Sequence, residues 1–223
     1  MNSERTDLAQ RARRHAALGD VARLQVVDAL ALSDRSPSEL QDVVGLPSNL
    51  MSHHLQVLQG AGIVARRRSE GDRRRTYLTL TDRSVVDPAD EAMAAPRVLF
   101  VCSANSARSQ LAAASWTRSS VVPAASAGTH PATQVAEGAH ETARRHGLDL
   151  TGCVPRLVTE VSEAHDLVVA VCDAAYEELG DLVGVHWSIP DPAAGGRAAF
   201  DAAFDEIDRR VTELAARLAV SQR

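Results

Sequence analysis

Val98-Leu99-Phe100-Val101-Cys102-Ser103-Ala104-Asn105-Ser106-Ala107-Arg108-Ser109 is the stretch that decides the fold. Its first four residues form an unbroken apolar run, the pattern of a strand buried on both faces. Gln110 to Trp116 then reads as a helix. Strand, short loop and helix in that order aim backbone N–H groups and a helix N-terminus at one point, which makes an anion nest. Cys102 and Arg108 bound the loop, five residues apart. The positive potential of a nest favours a thiolate, the reactive form of cysteine. A guanidinium at the far end can grip two oxygens of a tetrahedral oxyanion. Cys-x5-Arg alone is a weak signal. The strand before it, Ser109 after the Arg, the helix behind it and Asp191-Pro192 downstream single this copy out. The loop is expected to receive phosphate, arsenate or a similar anion.

Working outward, Val121 to Gly128 reads as a second strand, Asp166 to Cys172 as a buried one and Val185 to Trp187 as a short one. Between them, helices are expected over Gln134–His146 with Gly147 as the C-terminal stop, over Val161–Ala164, over Ala174–Leu179, and finally from about Ala198 to Val220. The alternation of strands and helices predicts a doubly wound α/β parallel sheet. Such sheets carry their sites at the carboxyl ends of strands, where both Cys102 and Cys172 fall.

The 223 residues suffice for two domains, and charge divides them. Residues 1–86 carry +3 and residues 87–223 carry −8, within a net charge of −5. Every basic side chain is Arg. The expected domains are 1–86 and 97–223, joined by a Pro- and acid-containing linker over 87–96. Three cysteines make no disulfide framework, and no apolar run approaches a membrane span. These features, with no signal segment at the N-terminus, predict a cytoplasmic protein with reduced thiols.

The first 86 residues read as helices closed by a hairpin. Leu8–Leu18 is one helix, and Asp20 caps a second through Leu24, Val27 and Leu30–Leu32. Ser36-Pro37-Ser38-Glu39 opens a third, stopped at Gly45. Ser48 begins a fourth, with Met51, Leu55 and Leu58 as its buried stripe. Its other face holds Ser48, Asn49, Ser52, His53 and Gln56, small or hydrogen-bonding groups suited to a DNA major groove. Two β-forming runs follow, around a tip flanked by Arg66–Arg68 and by Arg73, Arg74 and Arg75. Six arginines on a ribbon beside that helix suggest a wing contacting phosphates of double-stranded DNA. His15, His53 and His54 lack a metal-ligand spacing, so no metal site is expected.

Residues 10–81 resemble the winged helix-turn-helix of the arsenical-repressor (ArsR) family. The matching pieces are Ala17-Leu18-Gly19-Asp20-Val21-Ala22-Arg23-Leu24, Ser52-His53-His54-Leu55-Gln56-Val57-Leu58 and Gly62-Ile63-Val64. The resemblance implies a DNA-binding homodimer. Metalloid-sensing members carry Cys-x-Cys where Ser36 and Ser38 stand here.

Residues 96–219 resemble the low-molecular-weight tyrosine phosphatase superfamily, which includes thioredoxin- and mycothiol-linked arsenate reductases. The pieces are Cys102–Ser109, Ser126-Ala127-Gly128-Thr129 and His186-Trp187-Ser188-Ile189-Pro190-Asp191-Pro192. The resemblance implies Cys102 as nucleophile, Arg108 as oxyanion clamp, Asn105 as loop brace, Ser109 as thiolate donor and Asp191 as general acid. Ser103, Ala104, Ser106 and Ala107 would complete the oxyanion loop. The family loop has Gly where Ala104 stands and Cys where Ala107 stands. If residue 104 had to be left-handed, Ala would pay a cost that Gly avoids.

The expected activity is a DNA-binding regulator fused to a Cys-dependent arsenate reductase. The alternatives are a phosphatase using the same residues and an oxyanion-sensing regulator whose C-terminal domain is inactive. Tyrosine-specific members follow Asp-Pro with aromatics, whereas Ala193 and Ala194 follow here, in a chain that is 3% aromatic. Cys172 matches the first relay cysteine of the thioredoxin-linked reductases, but Leu179 occupies the position of the second. Cys172 and Cys153 are therefore either redox partners of Cys102 or packing residues. No bound cofactor is expected; a reductase would draw on an external thiol such as mycothiol with mycoredoxin, or on thioredoxin.

Overall fold

The computed structural model describes residues 2–86 and 93–220, so residues 87–92 of the expected linker lie outside it. The described residues form two compact units, residues 2–69 with 73–86, and residues 70–72 with 93–220.

The first unit holds α1 (Asn2–Leu18), α2 (Val21–Ala29), α3 (Pro37–Val44), α4 (Ser48–Gly60), β1 (Val64–Arg68) and β2 (Thr76–Leu80). Local chemistry sets the helix ends. Asp20 accepts from the Arg23 N–H at the start of α2. Ser36 and Glu39 form a reciprocal capping box on α3, and Gly45 closes that helix with φ 72°. α2 stops at Ala29, short of the expected Leu30–Leu32. Met51, Leu55 and Leu58 are buried with Val26, Val27, Leu30, Leu40 and Ile63 in one core. β1 and β2 pair antiparallel, Val64 opposite Leu80 and Arg68 opposite Thr76.

The second unit contains a four-stranded parallel sheet ordered β5 (Ala124–Gly128), β4 (Val98–Cys102), β6 (Leu167–Ala170), β7 (Val185–His186). Its helices are α5 (Arg108–Ser119), α6 (Glu137–Arg145), α7 (Val158–Val161), α8 (Asp173–Leu179) and α9 (Gly196–Arg217). β4 is buried at all five positions. Phe100 at its centre lies 5.8 Å from the Trp116 ring and 5.9 Å from Trp187, so both tryptophans are spent on the core. Truncating a ring packed this way costs about 3–5 kcal/mol.

Several boundaries differ from expectation. The second strand begins at Ala124, not Val121. α6 begins at Glu137, not Gln134: Ala136 before it is extended, with ψ 138°, and its N–H donates to the Ser106 carbonyl. The short helix α7 lies at Val158–Val161, upstream of Val161–Ala164. The last helix ends at Arg217; Leu218–Val220 form β8, which pairs parallel with β3 (Met93–Ala95). The end of the expected linker is therefore a strand.

Candidate active site

The loop from Cys102 to Ala107 joins β4 to α5. Four of its carbonyls are turned outward onto residues 129–136: Thr129 donates to Cys102 O (3.1 Å), His130 to Ser103 O (2.8 Å), Ala132 to Ala104 O (2.8 Å) and Ala136 to Ser106 O (2.8 Å). In a trans peptide the N–H points opposite to the C=O. The amides of Ser103, Ala104, Asn105 and Ala107 are thereby turned to the inner side of the loop, where an anion would sit. The Asn105 N–H shows that direction, donating to Cys102 Sγ at 3.2 Å.

Asn105 has φ 49°, whereas Ala104 is not among the described residues with positive φ. The left-handed position of the loop thus falls on Asn, a residue type that tolerates it, and Ala104 carries no such strain. The Asn105 side chain is fully buried and satisfied: Nδ2 donates to Ser109 Oγ (2.9 Å), and Oδ1 accepts from Gln110 Nε2 (3.2 Å) and the Arg156 N–H (2.9 Å). Ser109 Oγ in turn lies 3.1 Å from Cys102 Sγ. Gly128 completes the support: a Cβ there would stand 2.5 Å from Ser103 O and 2.9 Å from Asn105 N.

Arg108 opens α5 and is 7% exposed. Its Nη1 donates to Ile189 O at 2.7 Å and its Nη2 lies 3.4 Å from Asp191 Oδ2. Burial opposes the guanidinium charge, but the Cys172 and Cys102 sulfurs and Asp191 outweigh it and raise its pKa above the ordinary value. Asp191 is exposed and accepts from the Ala193 N–H at 3.1 Å. Cys102, Asn105, Arg108, Ser109 and Asp191 thus converge on one place.

Cys172 follows β6 and is buried. Its sulfur lies 3.8 Å from Ser103 Oγ. Burial and the neighbouring Cys102 push its thiol pKa up against the pull of Arg108, so it stays protonated at neutral pH. Cys153 is exposed and lines a groove of about 620 Å³ that contains Gln110, Ser126 and Arg156 but neither Cys102 nor Arg108. Partial desolvation of its sulfur and the nearby Asp149 raise its pKa also.

Gln110, Gly128, Asp173 and residues 129–136 were given no role by sequence reasoning. Gly128 and Thr129 lay within a quoted motif, which was the available signal. The bracing by residues 129–136 had none, since backbone hydrogen bonds leave no mark on side-chain identity.

In the first unit, Ser48, Asn49, Ser52, His53 and Gln56 are all exposed on one side of α4. His54 is half-buried, its Nδ1 3.6 Å from Asp20 Oδ1. Arg73, Arg74 and Arg75 are exposed between the strands of the hairpin. Among the described residues, no group of three or more His, Cys, Asp or Glu could hold a metal ion, and no helix is long and apolar enough to cross a membrane.

Fold and site define a class: a parallel α/β domain that presents a cysteine and an arginine around an anion nest, on a chain that also carries a helix-turn-helix domain. The chain belongs to the low molecular weight phosphotyrosine protein phosphatase family, whose model matches residues 97–223. A helix-turn-helix domain model matches residues 18–67. Among solved structures it is similar to an arsenate reductase from Archaeoglobus fulgidus, at 32% identity and TM-score 0.49, over 53% of this chain and 98% of that one. It is also similar to the tyrosine phosphatase Wzb from Escherichia coli K30 in complex with sulphate, at 20% identity and TM-score 0.50, over 55% and 97%. A third likeness is to a low molecular weight protein tyrosine phosphatase from T. tengcongensis, at 22% identity and TM-score 0.50, over 55% and 99%.

Proposed function

We propose that this chain is a DNA-binding regulator fused to a thiol-dependent arsenate reductase. The observation that carries the choice of substrate is the withdrawal of aromatic rings from the site. Trp116, Trp187 and Phe100 are buried in the core, and Ala193 and Ala194 stand exposed after Asp191-Pro192. Among the described residues the large exposed apolar side chains are all Leu or Val. Among the described residues no Trp or Phe is exposed for an aryl ester to stack on, whereas a bare oxyanion needs none.

In this reading the Cys102 thiolate, held by Ser109 and the Asn105 N–H, attacks arsenic and displaces one oxygen, which leaves as water with a proton from Asp191. Arg108 and the loop amides hold the remaining oxygens. An external thiol then attacks the Cys102 sulfur. The S–S bond forms, the S–As bond breaks, and the electron pair stays on arsenic, which leaves as arsenite. A second thiol reduces the mixed disulfide. Mycothiol with mycoredoxin, or thioredoxin, supplies the class of reductant. With Leu179 at the end of α8, an internal three-cysteine relay is incomplete, which favours the external thiol.

The α4 face and the arginines around the hairpin bind double-stranded DNA, and a homodimer reads two half-sites about one helical turn apart or a multiple of it. The protein works in the cytoplasm. The deciding experiment compares thiol-dependent loss of arsenate with phosphate release from an aryl phosphate. Phosphate release alone would make the chain a phosphatase, a reading its family supports. Neither activity, together with oxyanion-dependent DNA binding, would make the second domain a sensor.

A further inference from the structure

Asp173 is the first residue of α8, directly after Cys172, and is 4% exposed. A carboxylate at that depth persists only with donors around it. Two come from the segment that leads to Asp191: the Ser188 hydroxyl donates to it, and His186 Nε2 lies 3.0 Å from its Oδ1. His186 is fully buried, and its ring stacks on Tyr176 of α8 with centroids 4.1 Å and planes 6° apart. One face of α8 therefore grips this imidazole both at its edge and on its plane.

The same segment is tied at two further points. The Trp187 N–H donates to Ala170 O at 2.7 Å, and Ile189 O accepts from Arg108 Nη1 at 2.7 Å. Asp191 follows two residues later, exposed, with its carboxylate near Arg108. Residues 186–189 lead directly into it, so what holds them contributes to its backbone direction. An ionised carboxylate accepts from His186 and Ser188 together. An amide in its place would turn an NH2 group toward one of those donors.

We propose that Asp173 is a positioning residue for Asp191: by holding His186 and Ser188 against the start of α8, it sets where the Asp191 carboxyl stands relative to the Cys102 loop. Its bonds from His186 and Ser188 run to the segment behind the general acid and not into the anion nest. The proposal rests on the reading of Asp191 as general acid.

The test is a double-mutant cycle in the full-length chain. It compares wild type, Asp173→Asn, Asp191→Asn and the double variant, on whichever of arsenate with thiol or aryl phosphate the wild type turns over. Misplacing a catalytic group costs up to about 100-fold, so Asp173→Asn is expected to lower kcat about 10-fold or more. In the Asp191→Asn background it should cost no more than about twofold, because the group it positions is gone. Inhibition by inorganic phosphate, which reads the nest, should be unchanged by Asp173→Asn in either background. The same fractional loss in both backgrounds, or no loss in either, overturns the proposal. If Asp173→Asn does not fold, Ser188→Ala, which removes one donor and keeps the carboxylate, runs through the same cycle with the same non-additivity expected. A wild type inactive on both substrates overturns the proposed function, and an Asp191→Asn variant as active as wild type overturns the general-acid role. Either result removes the proposal too, and each is distinct from an additive cycle.

Discussion

The backbone N–H of Asn105 donates to the sulfur of Cys102 at 3.2 Å, and it does so from a left-handed backbone with φ 49°. Holding a non-glycine residue there costs of order 1–3 kcal/mol. The buried side-chain bonds of Asn105 to Ser109, Gln110 and the Arg156 amide offset that cost. One residue thus stores strain in the loop, aims an amide at the sulfur and fixes the hydroxyl beside it.

Cys102→Ser is expected to abolish turnover while keeping oxyanion binding, and Arg108→Ala to lose both. Arg108→Lys keeps charge but not the two-pronged grip. It should weaken phosphate inhibition by about 10- to 100-fold, corresponding to roughly 1.5–3 kcal/mol for a charge-assisted hydrogen bond. Turnover assays and phosphate inhibition constants check this; normal turnover by Cys102→Ser would end the enzyme reading.

Gly128→Ala places a methyl group against the backbone of Ser103 and Asn105, at 2.5 and 2.9 Å. Backbone cannot rotate aside as a side chain can, so the loop must shift. The expected cost is about 1–3 kcal/mol of stability by urea unfolding, with weaker phosphate inhibition. An unchanged inhibition constant would show that the loop does not depend on this close approach.

Burial raises the Asp173 carboxyl, but hydrogen bonds from His186 and Ser188 outweigh it, so its folded-state pKa lies below the unfolded value near 3.8. A depressed carboxyl contributes stability above the unfolded pKa and loses it as pH falls through the folded one. Asp173→Asn should therefore be less stable than wild type at pH 7, and the gap should close as pH falls below 3.8. Denaturant melts from pH 7 to pH 2 test it; a gap constant across that window would exclude the ionised pair as its source.

Cys172→Ala should retain arsenate turnover supported by a small thiol, at a stability cost on the order of 1 kcal/mol for a small buried truncation. The buried, protonated thiol should also resist alkylation in the folded protein at neutral pH. Loss of turnover in a folded Cys172→Ala variant would restore an internal relay.

Replacing Arg73, Arg74 and Arg75 by Ala should weaken DNA binding to all sequences alike. The plot of log affinity against log salt should flatten by about 0.9 for each DNA phosphate that the variant no longer neutralises. An unchanged slope would show that these arginines do not touch DNA.

Much of this was legible locally. The Asp20 cap, the Ser36–Glu39 box and the Gly45 stop are read from neighbours within four residues, and each stands where the sequence puts it. The buried stripe of α4 and the β4 run follow from periodicity. The misses are non-local. α9 gives way at Leu218 because a strand partner more than a hundred residues upstream takes over its backbone. α6 starts late, after an extended Ala136 whose amide donates to the distant Ser106 carbonyl.

The sequence alone determined that a cysteine and an arginine bound a loop between a buried strand and a helix, and that an arginine-flanked hairpin follows a helix with one polar face. Those features are properties of short windows, set by side-chain period, capping chemistry and charge. Only the tertiary structure decided that residues 129–136 hold the loop's carbonyls outward, that Asn105 and not Ala104 takes the left-handed turn, and that Asp173 grips the segment carrying Asp191. Each of these is a hydrogen bond or a close approach between distant segments. Its existence depends on where folding brings two backbones together, which no local pattern encodes.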